Sequence, residues 1–103
     1  MSKSSQSISE FVANSDIKLS LEQLCEALNT EKNFILQLIE QDLITPQGEE
    51  KEWQFDIICY KRAKSACSFY HDLDVNMAGI ALALDLLDKI ERLEDKAQKM
   101  EKQ

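Results

Sequence analysis

Two hydrophobic patterns are superimposed on the last stretch of this chain, and together they restrict its fold more than any short motif. Between Met77 and Gln103, Ala83, Leu86, Ile90, Leu93, Ala97 and Met100 recur at alternating spacings of three and four residues, the a/d seam of a coiled coil. Ile80, Leu82, Leu84 and Leu87 lie largely off that seam and occupy only its first half. A helix that is apolar nearly all round is buried on more than one side. The pattern therefore predicts a helix rooted in its own domain, with a seam left over for a second helix. Residues 77–103 are read as a dimerisation helix on this ground. At 1.5 Å per residue it reaches on the order of 40 Å, well past the core of a small domain.

A chain of 103 residues with 44% hydrophobic side chains supports one modest core. Pro46 and Gly48 stand together in a sequence with two glycines and one proline, so there is one strong break. An antiparallel β protein needs many more turns, and the expected class is all-α with at most a small β wing. The formal net charge of −7 counts against nucleic acid as the default partner and favours solubility or a basic protein partner. No apolar run approaches the roughly 18 residues that span a bilayer, and Met1-Ser2-Lys3-Ser4-Ser5 lacks the apolar core of a signal peptide. Cys25, Cys59 and Cys67 are odd in number and irregularly spaced, which suits reduced thiols. A cytoplasmic protein with no membrane association is expected.

Residues 1–18 are Ser-rich and read as a flexible lead-in, ending in a short extended piece at Ile17–Leu19. Ser20-Leu21-Glu22-Gln23 fits a capping box and starts a helix with Leu21, Leu24, Cys25 and Leu28 on its inner face. Thr30 is the expected cap of a second helix facing inward through Phe34, Ile35, Leu38 and Ile39. Two short helices joined by a tight turn make a helix-turn-helix candidate. Pro46 ends that unit, Gln47–Glu52 is an acidic loop, and Trp53-Gln54-Phe55 with Ile44 is the expected two-stranded wing. Asp56 is the expected cap of a third helix, roughly Ile57–His71, and Asp74 or Asn76 that of the fourth. The winged domain is thus 19–76.

This order of elements resembles a MerR-type winged-helix domain with its dimerisation helix. A narrower resemblance is to the CbpM family of chaperone modulators, carried by Leu43-Ile44-Thr45-Pro46, Trp53-Gln54-Phe55-Asp56 and His71-Asp72-Leu73. Its most specific part is Gly79-Ile80-Ala81-Leu82-Ala83-Leu84, followed by Leu86-Leu87-Asp88-Lys89-Ile90. The similarity covers roughly Leu19–Leu93. Asn76-Met77-Ala78 departs from the family's Asp-Trp-Pro-like approach to Gly79, and the family's usual third-helix Arg falls on Ser65. The seam of the last helix implies a homodimer, and the resemblance implies a protein that binds the J-domain of a CbpA-type DnaJ homologue, restraining its work with DnaK and its DNA binding.

Charge weighs against direct DNA binding, the other function a winged helix suggests. The helix-turn-helix carries Glu22, Glu26, Glu31, Glu40 and Asp42 against Lys32 alone, and the wing carries Glu49, Glu50, Glu52 and Asp56 against Lys51. Phosphate contacts supply most non-specific affinity and each needs a cation. The basic cluster Lys61, Arg62 and Lys64 lies on the third helix instead. Cys67 and His71 are one helical turn apart, yet no Cys-x-x-Cys accompanies them, and a cysteine on an apolar helix face is usually a small core residue. No nucleophile has an oriented base beside it in sequence, so neither catalysis nor a cofactor is expected.

Trp53 has two readings, a pin holding the wing to the later helices or an aromatic anchor in a partner groove. On the last helix, Asp85–Lys89, Asp88–Arg92 and Asp95–Lys99 are expected i,i+4 pairs. Glu49, Glu50, Glu52, Asp72 and Asp74 have no such partners. With Trp53 they form the candidate partner-binding set, complementary to the basic helix through which J-domains engage DnaK. The expected function is non-enzymatic modulation of a CbpA/DnaJ-type co-chaperone. The alternatives are a MerR-like DNA-binding transcription regulator and, third, a plain coiled-coil adaptor.

Overall fold

Ser20 sets the first helix in place. Its hydroxyl accepts from the Gln23 backbone N–H at 3.1 Å, and Gln23 Oε1 accepts from Ser20 N–H at 2.9 Å. This reciprocal pair satisfies amides that the first turn leaves free. The computed structural model describes residues 17–101, which form helices α1 (Leu21–Leu28), α2 (Lys32–Glu40), α3 (Ile57–Leu73) and α4 (Met77–Glu101), with a 3₁₀ turn at Glu50–Glu52. The lead-in expected over 1–18 lies outside the described residues except for Ile17, which is buried, and Lys18, whose Nζ donates to Gln47 Oε1 at 2.7 Å.

Asn29 leaves α1 in the left-handed region, φ 53, which an asparagine tolerates better than most side chains. The N-cap of α2 is Glu31, with no side-chain cap, in place of the expected Thr30. Thr30 sits half-buried one position too early. Asp56 does cap α3, its Oδ1 accepting from Cys59 N–H at 3.0 Å. That helix runs two residues beyond His71 and stops at Asp74, again left-handed at φ 55. Asn76 starts α4 by accepting from Gly79 N–H at 2.9 Å. A Cβ at Gly79 would stand 2.5 Å from Val75 Cγ1, so a larger residue there would have to displace the Val75 side chain at the tight α3–α4 corner.

The core gathers Leu24 of α1, Phe34, Ile35 and Leu38 of α2, Ile44 and Phe55 from the connection, Cys59, Ala63, Ala66 and Cys67 of α3, and Ile80 and Leu84 of α4. α3 packs on both α1 and α4, with Ala63 and Ala66 fully buried on it. The fold is the all-α winged helix-turn-helix expected from the sequence.

The wing differs in its pairing. Gln47 and Gln54 exchange backbone hydrogen bonds of 2.9 and 3.0 Å, and Phe55 exchanges its own, 2.7 and 2.9 Å, with Leu19 ahead of α1. Ile44, expected in the wing, is buried in the core at 3% exposure. Pro46 lies between it and the paired residues and brings no N–H to a ladder. Gly48, at φ 88, makes the turn.

α4 has two apolar faces. Ile80 and Leu84 are buried at 0% and 2%, whereas Leu82, Leu86, Ile90, Leu93 and Met100 are 48–69% exposed. Leu82 was expected off the seam. At about 100° per residue it lies about 40° from Leu86, and its exposure puts it with the outward stripe. No helix among the described residues is long and apolar enough to cross a membrane.

Candidate partner-binding surfaces

The 3₁₀ turn presents Glu49, Glu50 and Glu52 to solvent immediately before Trp53. Trp53 is half-buried, edge-on to Phe55 with ring centroids 6.3 Å apart. One side of the indole is therefore pinned to the core while the other remains available. Glu50, Glu52 and Trp53 line a hollow of ≈ 770 Å³ whose opposite wall includes Glu22 and Lys32. Among the described residues the ion pairs are Arg62–Asp88 and Lys89–Asp85, so none of the wing carboxylates is in one, and Lys18, Lys32 and Lys51 line the same hollow.

Asp72 and Asp74 are not brought to this place. They lie at the C-terminal end of α3, whose 17 residues separate them from the wing's end of that helix by about 25 Å. Asp74 also serves the backbone as the left-handed residue that ends α3, its N–H donating to Phe69 O. Tyr70 and His71 stand beside them. The Tyr70 ring is 4.9 Å from Phe34 and 5.1 Å from His71, centroid to centroid.

The thiols are packing groups. Cys59 and Cys67 are buried, and Cys59 Sγ donates to Thr45 O at 3.4 Å. Burial pushes both thiols above the ordinary cysteine range, which opposes the thiolate that a nucleophile or metal ligand requires. His71 is exposed at the helix end, on the aromatic pair rather than with a cysteine cluster.

Arg62 stands with Lys61 and Lys64 on α3, the expected basic cluster, and all three border one groove. The hydrogen bonds of Arg62 were not foreseen: Nε donates to Leu43 O at 2.7 Å and Nη1 to Asp88 Oδ1 at 2.6 Å. One guanidinium thereby joins the end of the helix-turn-helix, α3 and α4. Asp88 is taken from the expected partner Arg92, and of the three i,i+4 pairs expected on α4 only Asp85–Lys89 forms, at 3.1 Å. Ile58, Leu84, Leu87 and Ile90 floor that groove, of ≈ 590 Å³, between α3 and α4 beneath Arg62.

Comparison with known proteins agrees with this architecture. The family described as "MerR HTH family regulatory protein" matches residues 19–102. The chain is 47% identical over 85 residues to the chaperone modulatory protein CbpM of Coxiella burnetii strain Dugway 5J108-111, covering 82% of this chain and 80% of that protein. It is 27% identical over 78 residues to the proteins of the same name in Pseudomonas entomophila L48 and Pseudomonas putida W619, covering 75% of this chain and 77% of each relative. With matches of that extent, the chain belongs to the CbpM family of chaperone modulatory proteins and, in its fold, to the MerR-type helix-turn-helix proteins.

Proposed function

We propose that this protein is a non-enzymatic, cytoplasmic modulator of a CbpA/DnaJ-type co-chaperone, binding its J-domain and limiting its work with DnaK. Membership of the chaperone modulatory family over 82% of the chain carries the reading. The charge of the winged domain supports it. A basic J-domain helix is attracted by Glu49, Glu50 and Glu52, and Trp53 beside them supplies apolar contact of the kind that sets residence time. Asp72 and Asp74, at the far end of α3, belong to a second edge of the same acidic body.

The protein acts as a homodimer held through α4. The support is the outward stripe of Leu86, Ile90, Leu93 and Met100 with Ala83 and Ala97, most of it exposed in a single chain. Large apolar side chains aligned on one exposed helix face mark an interaction site. The test is ATP hydrolysis by DnaK stimulated by a CbpA-type J-domain. Addition of this protein is expected to lower the stimulated rate in proportion to J-domain occupancy, leaving unstimulated hydrolysis unchanged. A stimulated rate that stays constant at saturating protein rejects the reading.

A further inference from the structure

The outer face of α2, which a DNA-reading winged helix would turn to the major groove, is a double-sided seat in this protein. Asn33 and Gln37, one turn apart and both exposed, form its ridge. On one side they border a hollow of ≈ 400 Å³ closed by Trp53 and floored by half-buried Leu36 and Ile39. On the other they border a hollow of ≈ 590 Å³ closed by Tyr70 and His71, with Phe34 beneath. Tyr70 is 46% exposed although its ring also meets Phe34 at a tilt of 33°.

The rim decides what fits. Glu40 borders the first hollow, Glu31 the second, and Glu50 and Glu52 stand beyond Trp53, with Lys18, Lys32 and Lys51 the cations nearby. None of these four carboxylates is in an ion pair among the described residues. Duplex DNA would bring phosphates against them, and a second copy of this face would bring the same carboxylates. A cationic amphipathic helix brings the opposite charge. Its apolar side chains would enter the two hollows on either side of the amide ridge, as a helix seated in a groove does.

We infer that the face of α2 between Trp53 and Tyr70 is the docking site for a positively charged helix of the protein partner. Resting on the J-domain reading above, the inference assigns the J-domain's basic helix to this seat. The Asn33 and Gln37 side chains fix the helix's register through hydrogen bonds. Trp53 and Tyr70 clamp it from the two sides. Glu31, Glu40, Glu50 and Glu52 steer it.

The test is calorimetric titration of the whole protein with a CbpA-type J-domain. Gln37→Arg places a cation on the ridge, and Gln98→Arg makes the same charge change on the exposed far end of α4. Gln37→Arg is expected to weaken binding at least about tenfold and Gln98→Arg less than about twofold. Hydrogen exchange on the wild-type complex keeps the site testable if Gln37→Arg unfolds, with new protection expected at residues 33–41, at Trp53 and at 70–71. Wild-type binding left unchanged by a folded Gln37→Arg, or protection confined to α4, overturns the docking site while the J-domain reading stands. Absence of wild-type binding removes both. Duplex DNA protecting 33–41 where the J-domain does not also overturns it.

Discussion

Arg62 shows how much one side chain does in a small helical domain. Its two hydrogen bonds, to Leu43 O and Asp88 Oδ1, connect three elements that share no backbone pairing. Arg62→Ala removes a charged donor from a half-buried carbonyl acceptor and is expected to cost about 1–2 kcal/mol. The figure stays low because Asp88 keeps 40% side-chain exposure and surface ion pairs contribute little. Arg62→Lys recovers only part of it, since an ammonium lacks the planar fork that reaches both acceptors. Urea unfolding measures both variants; an Arg62→Ala midpoint equal to wild type contradicts the account. The buried thiols carry a pH dependence of definite sign. Their protonated form is favoured in the folded state, so their pKa lies above the ordinary 9.0. Their contribution is complete below that value and is lost as pH rises past it towards the raised folded pKa. Stability is expected to fall as pH rises past 9.0, less steeply in Cys67→Ala than in wild type. Equal slopes would contradict this. Ser20 and Asp56 were legible as caps because a cap is a local pattern of three or four residues. The partner of Arg62 was not, because a spacing rule on α4 could offer Asp88 only Arg92, whereas packing offered it a guanidinium from α3.

At the scale of elements, α4 is the part most legible in sequence. Its two overlapping periodicities correspond to two faces, Ile80 and Leu84 inward and Leu86, Ile90, Leu93 and Met100 outward. Leu82 escaped because a strict seam is narrower than the stripe a helix exposes. Ile44 escaped because a β-branched residue near a turn suits a wing strand and a core position equally well, and only the three-dimensional path past Pro46 separates them. Leu84→Asp sets an unpaired charge among Ile80 and α3 and is expected to unfold the protein. Ile90→Asp and Leu93→Asp set the charge at 48% and 65% exposed positions, so they are expected to keep the helical circular dichroism of the wild type and to sediment as monomers. The seam is only about two and a half heptads long, short for a coiled coil without further support. The body of the other subunit is therefore expected to contribute, in an antiparallel arrangement. Seam variants of wild-type mass would remove the dimer assignment.

The whole molecule joins a helix-turn-helix and wing to a surface charge unsuited to nucleic acid. Fold alone would suggest a regulator reading DNA, but fold does not fix function. Exposed Glu22, Glu26, Glu31, Glu40, Glu49, Glu50 and Glu52 occupy the elements that would have to meet phosphates. Binding to duplex DNA by this protein alone is expected to be undetectable at physiological salt, where every phosphate contact needs a cation. Sub-micromolar, sequence-selective binding in an anisotropy assay would restore the transcription-regulator reading. The fold and the acidic character could both be read from sequence, because periodicity and charge are local sums. The seat on α2 could not, because Trp53, Gln37 and Tyr70 are brought around one helix only by the packing of α2 against the wing and α3. The most direct measurement is calorimetric titration of the intact protein with an isolated CbpA-type J-domain at two salt concentrations. Saturable binding is expected, with a higher Kd at higher salt as the opposite charges are screened. No detectable heat and no complex at tens of micromolar of both proteins would contradict it.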